Sequence, residues 1–596
     1  MQIDYKNRQL ERVLFGANAI ASAIVVTTFV MLYGFDQPLL SFWFLYILQV
    51  VLLVYFVFEK VLRYFNTVSK LQFIQIHWFE IALLFALLVT VIGAGRWFAP
   101  DSSKILNVRH FTVGIYLVLQ VIIKLCRTSV NLAASGKSPT QTLIASFVVL
   151  ILSGAGLLML PAATRNGESL SFVDALFTST SATCVTGLVV KDTGQDFSFM
   201  GQLVILTLIQ LGGLGIVIFG AVLALLLGQA FSLRESVAMQ DLLSAGTLSR
   251  IGNIIAFIFI GTIFIEGLGA VGLYGMWHNI PGGSGPQNQW FCSIFHSISA
   301  FCNAGFSLFD TSFIDYNRNW KIYFIICPLI ILGGLGFTVL YDIANITADR
   351  TKRLLKKLFS KQYRFSMAAP KRMQLQTKVV LVASTLLIVF GALTILLFER
   401  YAAGNKSGNE IGIVDAVFQS ITARTAGFNT VQINKLTQSS RFILILLMFI
   451  GGSPGSTAGG IKTVTLAVIL MTAIAALRKR GEVEMFKRSV RIVVVGRAIT
   501  VTLLFVVVLF ITSLALSITE NSNGFTMSDI IFEAGSALGT VGLTAGITPA
   551  LTTVGKLIII TVMIIGRLGP LTLLAALTFN LKPAKYNYPD ESLIVG

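Results

Sequence analysis

Four times along this chain a short apolar stretch, too brief to cross a bilayer, ends in a glycine followed by a bulky apolar residue. The first runs from Asp174 through Phe177 to Cys184, Val185, Thr186 and Gly187; the second runs from Phe295 to Cys302, Asn303, Ala304 and Gly305. The third joins Asp415 and Phe418 to Arg424, Thr425, Ala426 and Gly427, and the fourth joins Asp529 and Phe532 to Gly539, Thr540, Val541 and Gly542. The phenylalanine precedes the final glycine by ten residues in three phrases and by nine in the third, and Leu188, Phe306, Phe428 and Leu543 follow. A second series trails the first: Leu211-Gly-Gly-Leu-Gly215, Leu332-Gly-Gly-Leu-Gly336, Ile450-Gly-Gly-Ser-Pro-Gly455 and Ile565-Gly-Arg-Leu-Gly569. Its first glycine lies 25, 28, 24 and 24 residues after the phrase glycine. One such run reads as helix packing; two series of four in one register read as an internal repeat, which dictates the fold.

The repeats are set in lipid. Hydrophobic residues make up 55% of the 596 and charged ones 12%, whereas a soluble domain carries roughly a quarter charged, and the mean hydropathy is +0.81. Apolar blocks approach the ~20 residues a spanning helix needs. They predict twelve spans at about 13–34, 40–62, 78–98, 109–126, 141–161, 200–228, 250–276, 321–347, 376–398, 441–477, 491–517 and 553–580. The fold class expected is an all-α integral membrane protein: about four extra spans over 1–137, then repeats at 138–235, 236–360, 361–485 and 486–596, the last with a C-terminal tail. Each repeat is span, short helix, glycine phrase, span.

The net charge of +18 is placed topologically. Ten basic residues fall between Arg350 and Lys378 and seven between Arg478 and Arg497, in short connections, as the positive-inside rule distributes them. Nucleic acid is therefore not the partner expected; these loops suit the cytoplasmic side, with anionic lipid or a cytoplasmic protein as further contacts. Both termini then fall on the cytoplasmic face. The basic start (Lys6, Arg8, Arg12) precedes an apolar block without a small-residue cleavage site, so it reads as a first span. Cys126, Cys184, Cys292, Cys302 and Cys327 form no CxxC pair and the four histidines are scattered, so no zinc site or disulfide framework is expected.

A bare cation enters hydrocarbon only if something replaces its water, and converging backbone carbonyls can do so without a side-chain charge to trap it. Such backbone needs positive φ, which glycine tolerates, and at membrane depth it must line a cavity. The short helix before each phrase would aim its partial negative end inward. Asp174, Asp415 and Asp529 sit at helix starts and are expected to cap free N–H groups, direct ion binding being the alternative reading.

With these phrases on the page, the chain resembles the TrkH/KtrB potassium transporter superfamily over about residues 138–580. The resemblance implies a pseudo-four-fold pore in each protomer, with K+ as the transported ion and no other cofactor. Its selectivity filter would be Cys184, Val185, Thr186, Gly187; Cys302, Asn303, Ala304, Gly305; Arg424, Thr425, Ala426, Gly427; and Gly539, Thr540, Val541, Gly542. Glycine in all four filter positions looks like the potassium-selective pattern. The resemblance also implies a homodimer and a cytoplasmic TrkA/KtrA-type regulatory subunit that carries the regulatory nucleotide.

In the third repeat the second series expands into Gly452, Ser453, Pro454, Gly455, Ser456, Thr457, Ala458, Gly459, Gly460 and, after Ile461, Lys462. Pro454 should break the helix there. Arg567 stands in the fourth repeat where the others have glycine. At mid-bilayer an arginine costs roughly 2.5–3.5 kcal/mol and should face the pore or a partner. These residues are expected to form a gate, the loop occluding the pore and Arg567 contacting its carbonyls. Arg424 and Glu533 are expected to pair behind the filter; Glu266 and Glu399 are assigned nothing. A voltage sensor is not supported, because Arg109, Lys124 and Arg127 are irregularly spaced. The main alternative is a twelve-helix secondary transporter for another solute, which predicts two six-span halves. An enzyme is not expected, since no nucleophile–base pair or phosphate loop occurs.

Overall fold

A computed structural model of the chain describes residues 6–35 and 40–71, scattered positions from 73 to 120, and residues 139–215, 251–278, 285–359, 370–402 and 411–570. Among these, five helices are long and apolar enough to span a membrane, and a sixth span counts if Ile322–Leu335 and Phe337–Leu355, bent by 103°, are one. Their surfaces carry apolar side chains outward: Leu503, Phe510 and Ile518 on one helix are 62%, 64% and 77% exposed. In water such a face would drive aggregation; in lipid it is the solvated face.

Helices α1 (Arg8–Tyr33) and α2 (Phe42–Asn66) form the described part of the extension. The Asn7 side chain accepts from the backbone of Gln9 and Leu10, satisfying free donors at the start of α1. Between the helices lies a polar seam. Arg63 pairs with Glu59 at 2.6 Å and Glu11 at 3.0 Å, and Asn18 donates to Glu59 at 2.8 Å. The extension meets the repeats where Ala162 N donates to Gly34 O at 3.1 Å. Of the expected third and fourth spans only scattered helical positions are described; Phe56, Leu87, Val113 and Leu117 share one apolar cluster. Arg109, Lys124 and Arg127, Cys126, the basic residues Lys361 and Arg364, and everything past 570 lie outside the described residues.

The unit then recurs four times. The first has α3 (Pro139–Leu158), α4 (Phe172–Thr183) and α5 (Phe199–Leu214); the second has α6 (Ile251–Leu273), α7 (Pro286–Phe301), α8 (Cys327–Leu335) and α9 (Phe337–Phe359). The third has α10 (Leu375–Leu397), α11 (Ile413–Thr422), α12 (Gln438–Phe449) and α13 (Thr463–Leu477). A small antiparallel hairpin, β1 (Val483–Met485) and β2 (Arg488–Val490), leads to the fourth: α14 (Ile492–Thr519), α15 (Met527–Gly539) and α16 (Thr553–Leu568).

In three units the short helix is pinned to the first span by one joint. Ser179, Ser297 and Ser420 donate to the carbonyls of Ile151, Glu266 and Ile388 at 2.7, 2.6 and 2.8 Å. Three residues further along each span, Gly154, Gly269 and Gly391 leave room for that serine, which a side chain there would strike. Ala534 takes the serine's place in the fourth unit.

The second spans differ from the expected continuous helices. A helix ends at each second glycine series: α5 stops at Gly215 (φ 82°), α8 at Gly336 (φ 90°) and α16 at Gly569 (φ 83°), while residues 450–462 separate α12 from α13. Positive φ is incompatible with a right-handed helix and nearly free only for glycine. Pro454 is thus not the general cause of the break.

Candidate functional site

The backbone of the four glycine phrases is the same. Val185, Asn303, Thr425 and Thr540 have φ of 57°, 58°, 82° and 52°, and Gly187, Gly305, Gly427 and Gly542, each two residues on, have φ of 91°, 70°, 83° and 92°. A β-branched residue rarely adopts positive φ unless its surroundings impose it. Here the short helix imposes it: after its last turn Val185 N donates to Ala182 O and Thr186 N to Ser181 O, with matching bonds from Asn303 and Ala304 and from Thr540 and Val541. The third phrase, one residue shorter, sends both Ala426 N and Gly427 N to Thr422 O. A hydroxyl near each helix end also holds the turn. Ser181 and Ser536 accept from the backbone of Gly187 and Gly542 at 3.1 Å, while Ser299 and Thr422 donate to Phe306 O and Phe428 O.

The four turns meet. A Cβ built on Gly187 would lie 3.1 Å from the Gly305 Cα, one on Gly305 3.1 Å from the Gly427 Cα, one on Gly427 3.2 Å from the Gly542 Cα, and one on Gly542 3.0 Å from the Gly187 Cα. The contacts close a cycle in sequence order. Ala304 O, Ala426 O, Val541 O and Thr186 O are, in turn, the nearest atoms to those positions. Any side chain at the four glycines would therefore collide with the neighbouring turn. Around this ring Leu188, Phe306, Phe428 and Leu543 are at most 1% exposed, and the hydroxyls of Thr186, Thr425 and Thr540 are buried without a hydrogen-bond partner among the described residues.

Struts between consecutive units brace the ring, and sequence reasoning missed them. Asp174 of the first short helix pairs with Lys556 of α16 at 2.7 Å, and Asp529 of the fourth pairs with Arg441 of α12 at 2.9 Å. Asp415 of the third accepts from Tyr323, before α8, at 2.7 Å. The N-cap residues are instead Ser171, Gly412 and Thr526, although Asp529 completes a capping box with Thr526. The repeated register of aspartate and partner was visible in the sequence; that they belong to adjacent units was not. Glu399 and Glu520 accept from Thr437 and Thr552, the N-caps of α12 and α16. In the loop after the first turn, burial pushes the Asp192 carboxyl above the usual carboxylate range, against bonds from the Gln195 and Gly194 backbone that hold it down.

Beside the ring lies the loop between α12 and α13. It folds on itself through Gly451 N to Ile461 O at 2.9 Å and Thr463 N to Gly452 O at 3.0 Å. Inside it Ser456 donates to Ser453 O at 2.7 Å and Lys462 to Ala458 O at 2.8 Å. Ser453 N reaches Gly334 O at 3.0 Å, and Phe337 N reaches Gly455 O at 2.9 Å, beside Pro454 and the bend at Gly336. On the other side a side chain at Gly459 would strike Thr540, and one at Gly460 would come within 3.4 Å of Gly539 O. Arg567 ties the loop to the first unit: its guanidinium donates to Thr457 O, to Gly212 O and, at 3.4 Å, to Gly213 O. The register that aligned Arg567 with Gly213 thus puts it in contact with that glycine.

Arg424 and Glu533 do not pair. Arg424 reaches Ser384 O and Oγ at 3.3 and 3.4 Å, and Glu533 accepts from Thr544 and Thr548. Each side chain finds its partners within its own unit. Cys302, in the same register as Arg424, packs its thiol 3.7 Å from Gln210 Oε1 and 3.8 Å from Glu266 Oε1.

Comparison with known proteins agrees with this architecture. The family model TrkH, described as a cation transport protein, matches residues 107–587. The chain is 39% identical to the Ktr system potassium uptake protein B of Bacillus subtilis, over 77% of this chain and 97% of that protein. It is 36% identical to the potassium/sodium uptake protein NtpJ of Enterococcus hirae, over 77% and 97%. The crystal structure of the potassium transporter TrkH from Vibrio parahaemolyticus superposes with a TM-score of 0.57 at 20% identity, covering 85% of this chain and 96% of that one.

Proposed function

Since this chain belongs to the TrkH family of cation transport proteins, we propose that it takes up potassium across a cell membrane through the ring of four glycine turns. The observation that carries the reading is the closed cycle of Gly187, Gly305, Gly427 and Gly542 with one φ pattern in all four turns. Alternating handedness along a strand points successive carbonyls to the same side, and four such turns surround a dehydrated cation with oxygens while adding no fixed charge. The short helices end at the ring, so their C-terminal partial charges favour a cation there. The four phrases from Cys184, Cys302, Arg424 and Gly539 onward are the filter in this reading, and the hydroxyls of Thr186, Thr425 and Thr540, unpartnered among the described residues, are further oxygens beside it.

The loop from Gly452 to Lys462 is the gate. Part of the third unit, it lies against the second and fourth, and Arg567 holds it to the first, so all four units contribute to one closure. Two cations, Lys462 and Arg567, then stand on the conduction path and oppose passage. The four units, taken as 138–235, 236–360, 361–485 and 486–596, act as one pore, with both termini cytoplasmic. A second copy of the chain and a nucleotide-binding cytoplasmic subunit of the TrkA/KtrA type complete the assembly; the "Ktr system" in the Bacillus subtilis relative's description supports a multi-component uptake system.

Purified protein in liposomes tests this by rubidium uptake. The wild type should show saturable uptake, favoured over sodium, and Gly427→Ala should abolish it, because the new methyl enters the ring. Absence of rubidium flux in wild type, or full flux in Gly427→Ala, contradicts the reading.

A further inference from the structure

Two arginines lie among the repeats, Arg424 buried and Arg567 half-buried, and their surroundings differ. Arg567 is held by three carbonyl contacts. Arg424 is only 9% exposed, its two bonds to Ser384 are long at 3.3 and 3.4 Å, and its Nε has no partner among the described residues. Charge-assisted bonds ordinarily run about 2.7–2.9 Å, and no carboxylate of the described residues forms an ion pair with it. A buried charge left this way costs several kcal/mol. The backbone does not require it: the same register holds Cys184, Cys302 and Gly539 in turns of the same conformation.

Arg424 borders a narrow, partly open cleft between the second and third units, with about 20 Å³ of room for the centre of a water-sized guest. Its other walls include Ile330, Leu335, Ile388, Ile421 and Gly452, with Ser384 as the other side-chain hydrogen-bonding group. The walls are apolar and the space is tight, so a guest must be small, and only the guanidinium offers it a full charge.

We infer that a monovalent anion of halide size binds in this cavity against Arg424 and neutralises it. The guest supplies the acceptor that Nε lacks, and Ser384 Oγ can donate to it. A weakly hydrated halide suits such walls better than a multiply charged anion, whose dehydration costs far more. The consequence rests on the proposed function. Arg424 is three residues from Gly427, and an uncompensated positive charge there disfavours a cation in the ring, whereas a bound anion removes the penalty. Gly452 of the proposed gate shares the cavity wall, so the guest would also touch the loop.

Crystals of the full chain grown with bromide in place of chloride provide the test, read by anomalous scattering. The expected result is a bromide peak at the Arg424 guanidinium that disappears in Arg424→Gln and in Ile388→Phe, which fills the cavity while leaving the arginine. Ordered water without anomalous signal at Arg424, or a peak unchanged in Ile388→Phe, overturns the site. In liposomes, replacing chloride by gluconate, too large to enter, should lower wild-type rubidium uptake on the order of tenfold. Equal uptake in the two media overturns the neutralising role. If no medium supports uptake, the proposed function fails, while the bromide peak still decides the anion site.

Discussion

Arg567 joins three structural units with one side chain, reaching Thr457 O in the loop and Gly212 O and Gly213 O in α5. Hydrogen bonds from a charged group are worth about 1.5–3 kcal/mol each, enough to offset the roughly 2.5–3.5 kcal/mol cost of an arginine at mid-bilayer. Arg567→Ala removes both the clasp and a charge on the proposed path. Rubidium uptake into liposomes should rise about tenfold, the effect of ~1.4 kcal/mol on a barrier, and an unchanged rate would sink the gating role. Asp192 gives a pH prediction. Burial raises its folded pKa above the usual 3.8, so folding favours its protonated form; its relative destabilisation is absent below the unfolded value and grows as pH climbs through the raised one. Asp192→Asn should therefore raise Tm at pH 7 and leave it nearly unchanged near pH 3, and equal shifts at both would count against burial as the cause. The special status of Arg567 was legible in the sequence because three aligned positions hold glycine. The Arg424–Glu533 pairing misled because both lie near ring phrases, and chain position says nothing of the direction in which a side chain leaves the ring. Arg424 turns to Ser384 of its own first span, and Glu533 turns to Thr544 and Thr548 of its own loop.

At the scale of elements, the second spans are where hydropathy alone was a poor guide. An apolar run from about 200 to 228 reads as one helix, because a hydropathy window weighs side chains and ignores φ. Gly215, Gly336 and Gly569 take positive φ and end the helix in mid-run. One turn earlier, Gly212, Gly333 and Gly566 abut the carbonyls of Thr183, Phe301 and Leu538, at the ends of the short helices. The glycine series thus serves two purposes, close packing and helix termination, and the sequence reading saw only the first outside the third repeat. First spans were read to within a few residues: α10, Leu375–Leu397, against an expected 376–398, has no such break. The struts between units also belong to this scale. The Lys556–Asp174 pair is partly buried, with 16% and 17% of the side chains exposed, so it is worth about 1 kcal/mol. Asp174→Lys and Lys556→Asp should each lower Tm by a few degrees, and the double variant should recover most of the loss. No recovery would mean that the two residues act independently.

Across the whole molecule, one four-fold pattern organises fold and site together. The phrase glycines meet in sequence order, the joints between first span and short helix repeat in three units, and the struts link each unit to the one before it at three of the four boundaries. The existence of four units was legible because their glycines recur in register. The cyclic contact was not, since spacing along a chain does not determine which turns touch. The extension before the repeats remained opaque in sequence for a related reason: α1 and α2 are apolar outside, but the polar seam that joins Glu11 and Asn18 of α1 to Arg63 and Glu59 of α2 links residues far apart in the chain, with no repeat to pair them. Function at this scale reduces to whether backbone oxygens of four turns hold one dehydrated ion. Crystals of the full chain in thallium(I), a potassium-sized cation with strong anomalous scattering, measure that directly. The account predicts anomalous density on the axis enclosed by Gly187, Gly305, Gly427 and Gly542; thallium bound only elsewhere, with none inside that ring, would contradict it.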